Sequence, residues 1–324
     1  VSRNRIIRTT VGLRPTRSSG FVLRSETFGD KTIIHNFGHG GSGMSLSWGT
    51  AHLAMELALE TGASQVAVVG AGVVGLSTAR LLQQKGYQVT VYAKDLPPRT
   101  TSNMSAAYFG PTGAYRSAYE NVWHRATRLS HRYFQDYLGD EYGVRWVPYY
   151  LVSQTPPSPQ RGLGRLIADL YPETAQLDPS EHPFPTPYVR RRWTLQFEPS
   201  VYLNALLRDV RLASGPRSVV VREFTNLDEL LMLDEPVIMN CTGLGAKPLF
   251  GDEELHPVKG QLTVLLPQPE VDYAVSGGGL LMLPRRDGII LGSTREANDW
   301  TLEPSDTEME RVMNGHAEFF DAMT

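Results

Sequence analysis

"QVAVVGAGVVGLSTARLLQQKGYQVTVYAKD", residues 65–95, reads as strand, tight turn, helix and second strand. Val66 to Val69 are apolar and mostly β-branched. Leu76, Ala79 and Leu82 then recur at helical spacing, and Gly86 marks the helix stop. Tyr87, Val89 and Val91 alternate as a strand does. Such a unit crosses over right-handed and sets its two strands parallel. Its turn, Gly70-Ala71-Gly72-Val73-Val74-Gly75, has the G-x-G-x-x-G pattern of dinucleotide binding. Gly70 permits the turn, Gly72 lets a pyrophosphate reach the backbone, and Gly75 lets the helix lie close on the strand. The helix N-terminus adds free N–H groups and a dipole that favours phosphate. Asp95 lies about 20 residues beyond Gly75, the expected distance for an acid on the ribose. Lys94 beside it blurs the register and leaves a phosphorylated dinucleotide open.

Upstream stands a second glycine cluster, "HNFGHGGSGMSLSWG" (35–49), which runs into an apolar helical stretch, 50–60. Downstream, 117–138 reads as an amphipathic helix and 199–210 as a helix opened by proline and serine. Residues 153–162 and 179–188 are proline-rich surface segments flanking a short helix near 163–170. "PVIMNCTGLGA" (236–246) is a buried strand entering a third glycine turn. The stretches around 259–294 read as antiparallel strands, and a capped helix follows from 305.

The bulk composition excludes more than it selects. A net charge of −3 leaves no electrostatic footprint for nucleic acid or an anionic membrane. No apolar run approaches the roughly 18 residues that span a bilayer. The single cysteine, Cys241, rules out an intramolecular disulfide and reads as an inert buried thiol. His35, His52 and His256 share no ligand spacing with carboxylates, so no metal is expected. The compartment stays open, cytoplasmic or exported after removal of a leader.

Five stretches together resemble the D-amino acid oxidase family of FAD enzymes: "VAVVGAGVVGLSTARLL" (66–82), "VYAKDLPPRTTSNMSAAYFGP" (91–111), "VIMNCTGLGAKPLFGDEELHPVKGQL" (237–262), "RIIRTTVGLRPTR" (5–17) and "TIIHNFGHGGSGMSLSWGTAHLAMELA" (32–58). The last two are the most specific. In the family they close the chain, and here they open it, so the order looks circularly permuted. Gly62 to Gln65 would join the helix to the strand without disturbing the core. Both glycine clusters would then meet one FAD from opposite ends.

The resemblance implies an α/β fold with a Rossmann-type FAD-binding domain, residues 1–105 plus 200–250. A mostly antiparallel substrate domain would take 106–198 plus 251–300, and a closing helix, 301–324, would return to the FAD domain. It implies hydride transfer from a small amino acid or amine to flavin N5, followed by imine hydrolysis and release of H2O2 after reaction with O2. Arg14 matches the arginine that grips the substrate carboxylate. Gly40, Gly41, Ser42, Gly43, Met44 and Ser45 match the backbone run beside the flavin. Gly70 to Gly75, Lys94, Asp95, Thr100, Thr101, Ser102, Ala106, Ala107 and Tyr108 match further cofactor contacts, with Phe224, Thr242 and Gly243 at the adenosine half. Gly41, Tyr108, Leu281 and Arg285 are candidates to line the substrate pocket.

One departure stands out. Where the family places tyrosines over the substrate, this chain has "SGGGLLMLPRRDG" (276–288), with none. Tyr108, Tyr115 and Tyr119 are the candidate replacements, and Arg285 or Arg286 a further pocket cation. His39 reads as a brace for its loop. A dehydrogenase using another electron acceptor and a flavin protein with a degenerate site are the alternatives left open. So are the stereoisomer and the oligomeric state.

Overall fold

The computed structural model describes every residue except 157–162, 216–217 and 293, so part of the proline-rich stretch expected at 153–162 lies outside the described residues. Strands are β1 (Ile6–Thr16), β2 (Val22–Phe28), β3 (Lys31–Phe37), β4 (Gln65–Val69), β5 (Gln88–Ala93), β6 (Val144–Ser153), β7 (Ala175–Leu177), β8 (Tyr188–Phe197), β9 (Val219–Val221), β10 (Val237–Asn240), β11 (His256–Leu265), β12 (Ala274–Gly277), β13 (Leu280–Arg285), β14 (Gly288–Gly292) and β15 (Glu296–Ala297). The helices are α1 (Gly43–Leu59), α2 (Val73–Gln84), α3 (Glu120–Phe134), α4 (Leu163–Leu166), α5 (Pro199–Ser214), α6 (Leu227–Leu231), α7 (Ala246–Phe250) and α8 (Asp306–Asp321).

Two sheets organise them. In the first, ordered β2-β3-β10-β4-β5-β9, all strands after β2 run parallel, and β2 pairs antiparallel with β3 at the edge. The expected β4–α2–β5 crossover is its central unit. Its parallel strands are buried because helices cover them. On one face Val66, Val68, Val91 and Met239 pack with α1, α2 and α5. On the other, Ala67, Val69 and Ile238 pack with Leu230 and Leu249. The second sheet runs β1-β11-β14-β13-β12-β6-β8-β7 with β15 against β11; all its pairings are antiparallel except β12 with β6.

Two expected domain boundaries are corrected. Residues 6–16 do not join the dinucleotide layer: β1 lies antiparallel along the whole of β11, with Gly12 opposite Gly260 and Arg14 opposite Val258. Nor does the closing helix return to that layer. Val312 and Met313 on α8 bury against Leu265, Met282 and Leu291 of the antiparallel sheet. The apolar stripe of α8 finds its partner there, and its expected cap is present, with Ser305 accepting the Glu308 N–H.

α1 begins at Gly43, within the glycine cluster and ahead of the stretch 50–60 read as helical, and Met44 to Ala51 are all buried. It crosses α3 at Gly49, where any Cβ would overlap the Ala126 carbonyl, while the Gly49 N–H donates to Ser130 Oγ at 2.7 Å. Trp48 beside it stacks on Tyr137 and donates to Tyr202 Oη at 2.6 Å. Thr61 to Ser64, mostly exposed, then turn the chain directly from α1 into β4.

Candidate functional site

Three adjacent parallel strands, β3, β10 and β4, deliver their carboxyl ends into glycine turns at one edge of the sheet. That edge is where open α/β sheets hold ligands. After β4, Gly70 takes φ +116° with the Cys241 carbonyl against its Cα, so no side chain fits. Gly75 is pinned in the same way, since a Cβ there would overlap the Gly70 carbonyl oxygen. Gly72 differs: a Cβ would meet only Ser102 Oγ, at 3.2 Å. No backbone atom closes over it as one does over Gly70 and Gly75.

The two glycine clusters meet. A Cβ on Gly43 would lie 3.8 Å from Val74 Cγ2 and 3.9 Å from Val73 Cγ1, so the N-termini of α1 and α2 are side by side. Neither helix is capped by the side chain of its own N-cap residue, Ser42 or Gly72. Ser102 Oγ instead accepts the Val73 N–H at 3.0 Å. Thr100, on the same turn, donates to Asn103 Oδ1 at 2.8 Å, and Asn103 Nδ2 is buried with no partner among the described residues. The helix ends, Gly72 and this orphaned donor are groups that could hold a phosphorylated ligand.

Serines stitch the remaining cofactor candidates to α1. Ser45 Oγ donates to the Tyr108 carbonyl at 3.2 Å and accepts the Gly110 N–H at 2.8 Å, holding the Ala106–Tyr108 segment against Met44 and Ser45. Ala107 takes a left-handed φ of +64° there. Thr242 donates to Asn240 Oδ1 at 2.7 Å, and Gly243, at φ +59°, lies near Pro15. Asn240 Nδ2 in turn meets His35 Nδ1 at 3.0 Å, which ties β10 to β3. Phe224 is buried edge-on against Tyr92. Lys94 and Asp95 point outward, Lys94 to Glu223 and Asp95 to Arg99. Thr101 is exposed.

Arg14 lies where the sheets meet. Its stem rests on Gly41, whose φ is +91° and where a Cβ would come 2.7 Å from Arg14 Cδ. Nη1 donates to the Lys259 and Thr294 carbonyls at 3.3 and 3.2 Å. Among the described residues no carboxylate lies within ion-pair reach, and neither Nε nor Nη2 has a hydrogen-bond partner. Burial, then the nearby Arg295 charge, lowers the Arg14 pKa. A guanidinium stays protonated regardless, so the strain it carries is that of a partly desolvated cation lacking an anion.

Of the candidate tyrosines, Tyr108 is the one that lies near Arg14. Tyr115 is spent on Glu120 and Trp123, and Tyr119 is exposed. Tyr149 was not among the candidates read from the sequence. It stacks obliquely on Tyr108 with ring centroids 5.6 Å apart, and Arg192, its cross-strand partner, lies over it and over Tyr171. Burial drives the Tyr149 phenol far upward, keeping it protonated. Period-2 alternation along "VRWVPYYLVS" was the available signal, but two adjacent tyrosines there left the inward one unmarked. Leu281 joins Tyr149, Leu262 and Leu283 in the apolar floor.

Arg285 is differently employed. Its guanidinium binds Asp287 through Nε and Nη2 and donates through Nη1 to the Ser105 carbonyl at 3.0 Å, bracing the turn after Ser102. Arg286 pairs with Asp140 at the surface. Each pocket-cation expectation thus meets an arginine already holding a carboxylate. A cavity of about 380 Å³, bounded by β2, β3 and α7, includes no residue of the glycine turns. Among the described residues no cluster could hold a metal ion, and no helix is long and apolar enough to cross a membrane.

His39 is buried, stacked on Phe21 and within 3.1 Å of Thr50 Oγ1. Burial alone pulls its pKa down to about 4. The unfolded chain takes up this proton below about pH 6.5, whereas the folded chain resists until about 4. Stability is therefore complete above pH 6.5 and falls by up to about 3 kcal/mol as pH drops to 4. Thermal melts between pH 7 and 4.5 should show this loss, and His39→Gln should flatten the slope. Parallel slopes would mean that His39 is not held neutral.

The geometry can now be set beside known proteins. The family model described as "DAO: FAD dependent oxidoreductase" matches residues 65–323. The D-amino-acid oxidase of Streptomyces coelicolor is 31% identical over 264 residues, 74% of this chain and 72% of that protein. Human D-aspartate oxidase is 28% identical over 262 residues, covering 78% and 74%. Among solved structures, glycine oxidase from Bacillus cereus superposes with a TM-score of 0.60 at 14% identity, covering 79% of this chain and 78% of its own. The last likeness shows the fold.

Proposed function

The chain belongs to the DAO family of FAD-dependent oxidoreductases, and from that premise we propose that it oxidises a small amino acid held by Arg14, in the manner of a D-amino acid oxidase. The residues fit the cofactor: the uncapped ends of α1 and α2, bare Gly72 and orphaned Asn103 suit a pyrophosphate, and the Ser45-stitched segment suits a ring system beside α1. Bound FAD would supply the two-electron acceptor for the substrate's Cα hydride, with the electrons and two protons passing on to O2 as H2O2 and the imine product hydrolysing.

What the chain's own residues do is orient. The open edge of the Arg14 fork takes the substrate carboxylate through Nε and Nη2 while Nη1 stays anchored on main-chain carbonyls. Tyr108 and Tyr149 present their hydroxyls beside that anion, in place of the tyrosines missing from 276–288. The apolar floor of Leu262, Leu281 and Leu283 excludes water from the reacting carbon. A substrate amine arriving uncharged needs no side-chain base. The observation that carries this reading is the partly buried Arg14 guanidinium without a carboxylate. The names of the relatives, D-amino-acid and D-aspartate oxidases, support it.

We read the chain order as a permutation of the family's. In support, the family match begins at Gln65, just past the Thr61–Ser64 turn, while residues 6–59 supply β1, β2, β3 and α1 to the same two sheets.

The test is anaerobic bleaching of the flavin band, screened with D- and L-amino acids, glycine, N-methylglycine and simple amines. Bleaching by amino acids, with peroxide on readmitting air, is the expected result. Bleaching without peroxide would mark a dehydrogenase. A flavin that no amino acid bleaches would overturn the reading.

A further inference from the structure

The geometry points to Gly260 as a positioning residue for Arg14: we infer that its missing side chain is the slot in which the carboxylate-binding guanidinium is held. This rests on the reading of Arg14 given above. Gly260 lies inside β11, in "HPVKGQLTVL", a run otherwise suited to a buried strand. Glycine weakens a strand interior and is found there where another group must come close. Here the group is identified. A Cβ on Gly260 would overlap Nη2, Cζ and Nη1 of Arg14, so the planar head of the arginine occupies the space a side chain would fill.

Backbone strain does not explain this glycine, since Gly260 is absent from the positive-φ positions. Packing of the sheet does not explain it either, because the three nearest atoms that a Cβ would meet all belong to Arg14. The neighbouring carbonyls of Lys259 and Thr294 fix Nη1, and Gly41 leaves the stem room on the other side. Gly260 therefore acts through Arg14. It sets where the open edge of the fork points before substrate arrives, which is how a scaffold converts binding into a reactive geometry.

The experiment is a cycle of Gly260→Ala, Arg14→Ala and the double variant, each loaded with FAD. It reads KM and kcat for the most active amino acid, and the melting temperature. Gly260→Ala should raise KM about 100-fold, the scale of an ångström's misplacement, and lower the melting temperature, with flavin content unchanged. Added to Arg14→Ala, it should change neither KM nor melting temperature further, because the overlapping atoms are gone. If Gly260→Ala alone fails to fold while the double variant folds, the contact is confirmed directly. An equal loss of melting temperature in both backgrounds, or failure of both to fold, would make Gly260 a scaffold glycine and overturn the inference. An unchanged KM in Gly260→Ala beside a raised KM in Arg14→Ala would overturn it too. An unchanged KM in Arg14→Ala would instead refute the assigned role of Arg14, while the melting temperatures would still read the Gly260–Arg14 contact.

Discussion

Arg14→Ala is expected to cut kcat/KM for amino acids by roughly 30- to 5,000-fold, mostly through KM, while the flavin stays bound. The range follows from the about 2–5 kcal/mol lost when one partner of a desolvated, hydrogen-bonded charge pair is removed. Its upper part is favoured here because the surroundings are already short of anions. Burial and Arg295 both disfavour the Arg14 charge, and its hydrogen bonds go to carbonyls alone. A substrate carboxylate would thus be the first anion to reach it. Arg14→Lys should recover only part of the loss, since an ammonium cannot offer Nε and Nη2 as a fork or bridge to the Lys259 and Thr294 carbonyls with a second nitrogen. Steady-state kinetics with the best amino acid, alongside the absorbance ratio of flavin to protein, checks both. Unchanged kcat/KM in the alanine variant would end the assignment.

The pieces legible in the sequence were those with local causes. The β4–α2–β5 unit declared itself through periodicity and the spacing of Gly70, Gly72 and Gly75. The structure shows two of those glycines answering to the protein's own backbone and one, Gly72, to a single side-chain atom, Ser102 Oγ. The pairing of glycine clusters was also legible, and it appears as the side-by-side ends of α1 and α2. What stayed hidden depended on partners distant in sequence. β1 looked like part of the dinucleotide layer by position, yet its pairing with β11 spans about the whole chain and has no local signature. α8 showed its apolar stripe and its cap but not which sheet would cover it. Arg285 had the right residue type and no visible reason to be occupied, because Asp287 and Ser105 close on it only in three dimensions. Gly260 and Tyr149 have the same character: each matters through a side chain arriving from another strand.

Gly75→Ala should be among the most damaging substitutions that add a single carbon, and the one that strikes the cofactor turn directly. Its Cβ would overlap the Gly70 carbonyl oxygen, lie 2.8 Å from the Gly70 carbonyl carbon and 3.4 Å from Cys241 Cβ. None of these can yield as a flexible side chain would. Relief requires moving α2 away from the turn between β4 and β10, both buried in the main core. Overpacking of this kind costs about 3 kcal/mol at the upper end of its usual range, or roughly 4–5 °C in melting temperature for 324 residues at about 2.1 cal/mol/K each. Displacing α2 also moves its N-terminus from the pyrophosphate position, so flavin should be lost as well. Gly72→Ala separates the two effects. Its Cβ meets only Ser102 Oγ at 3.2 Å, and its φ of −72° is open to any residue. The flavin-free protein should therefore melt as the parent does, while FAD titration shows weakened binding because the methyl group stands where the phosphates approach. If Gly72→Ala binds FAD with parental affinity, the cofactor does not lie across this turn. If Gly75→Ala melts normally, α2 is not packed on the Gly70 carbonyl, and the close-packed turn on which the site is built is wrong.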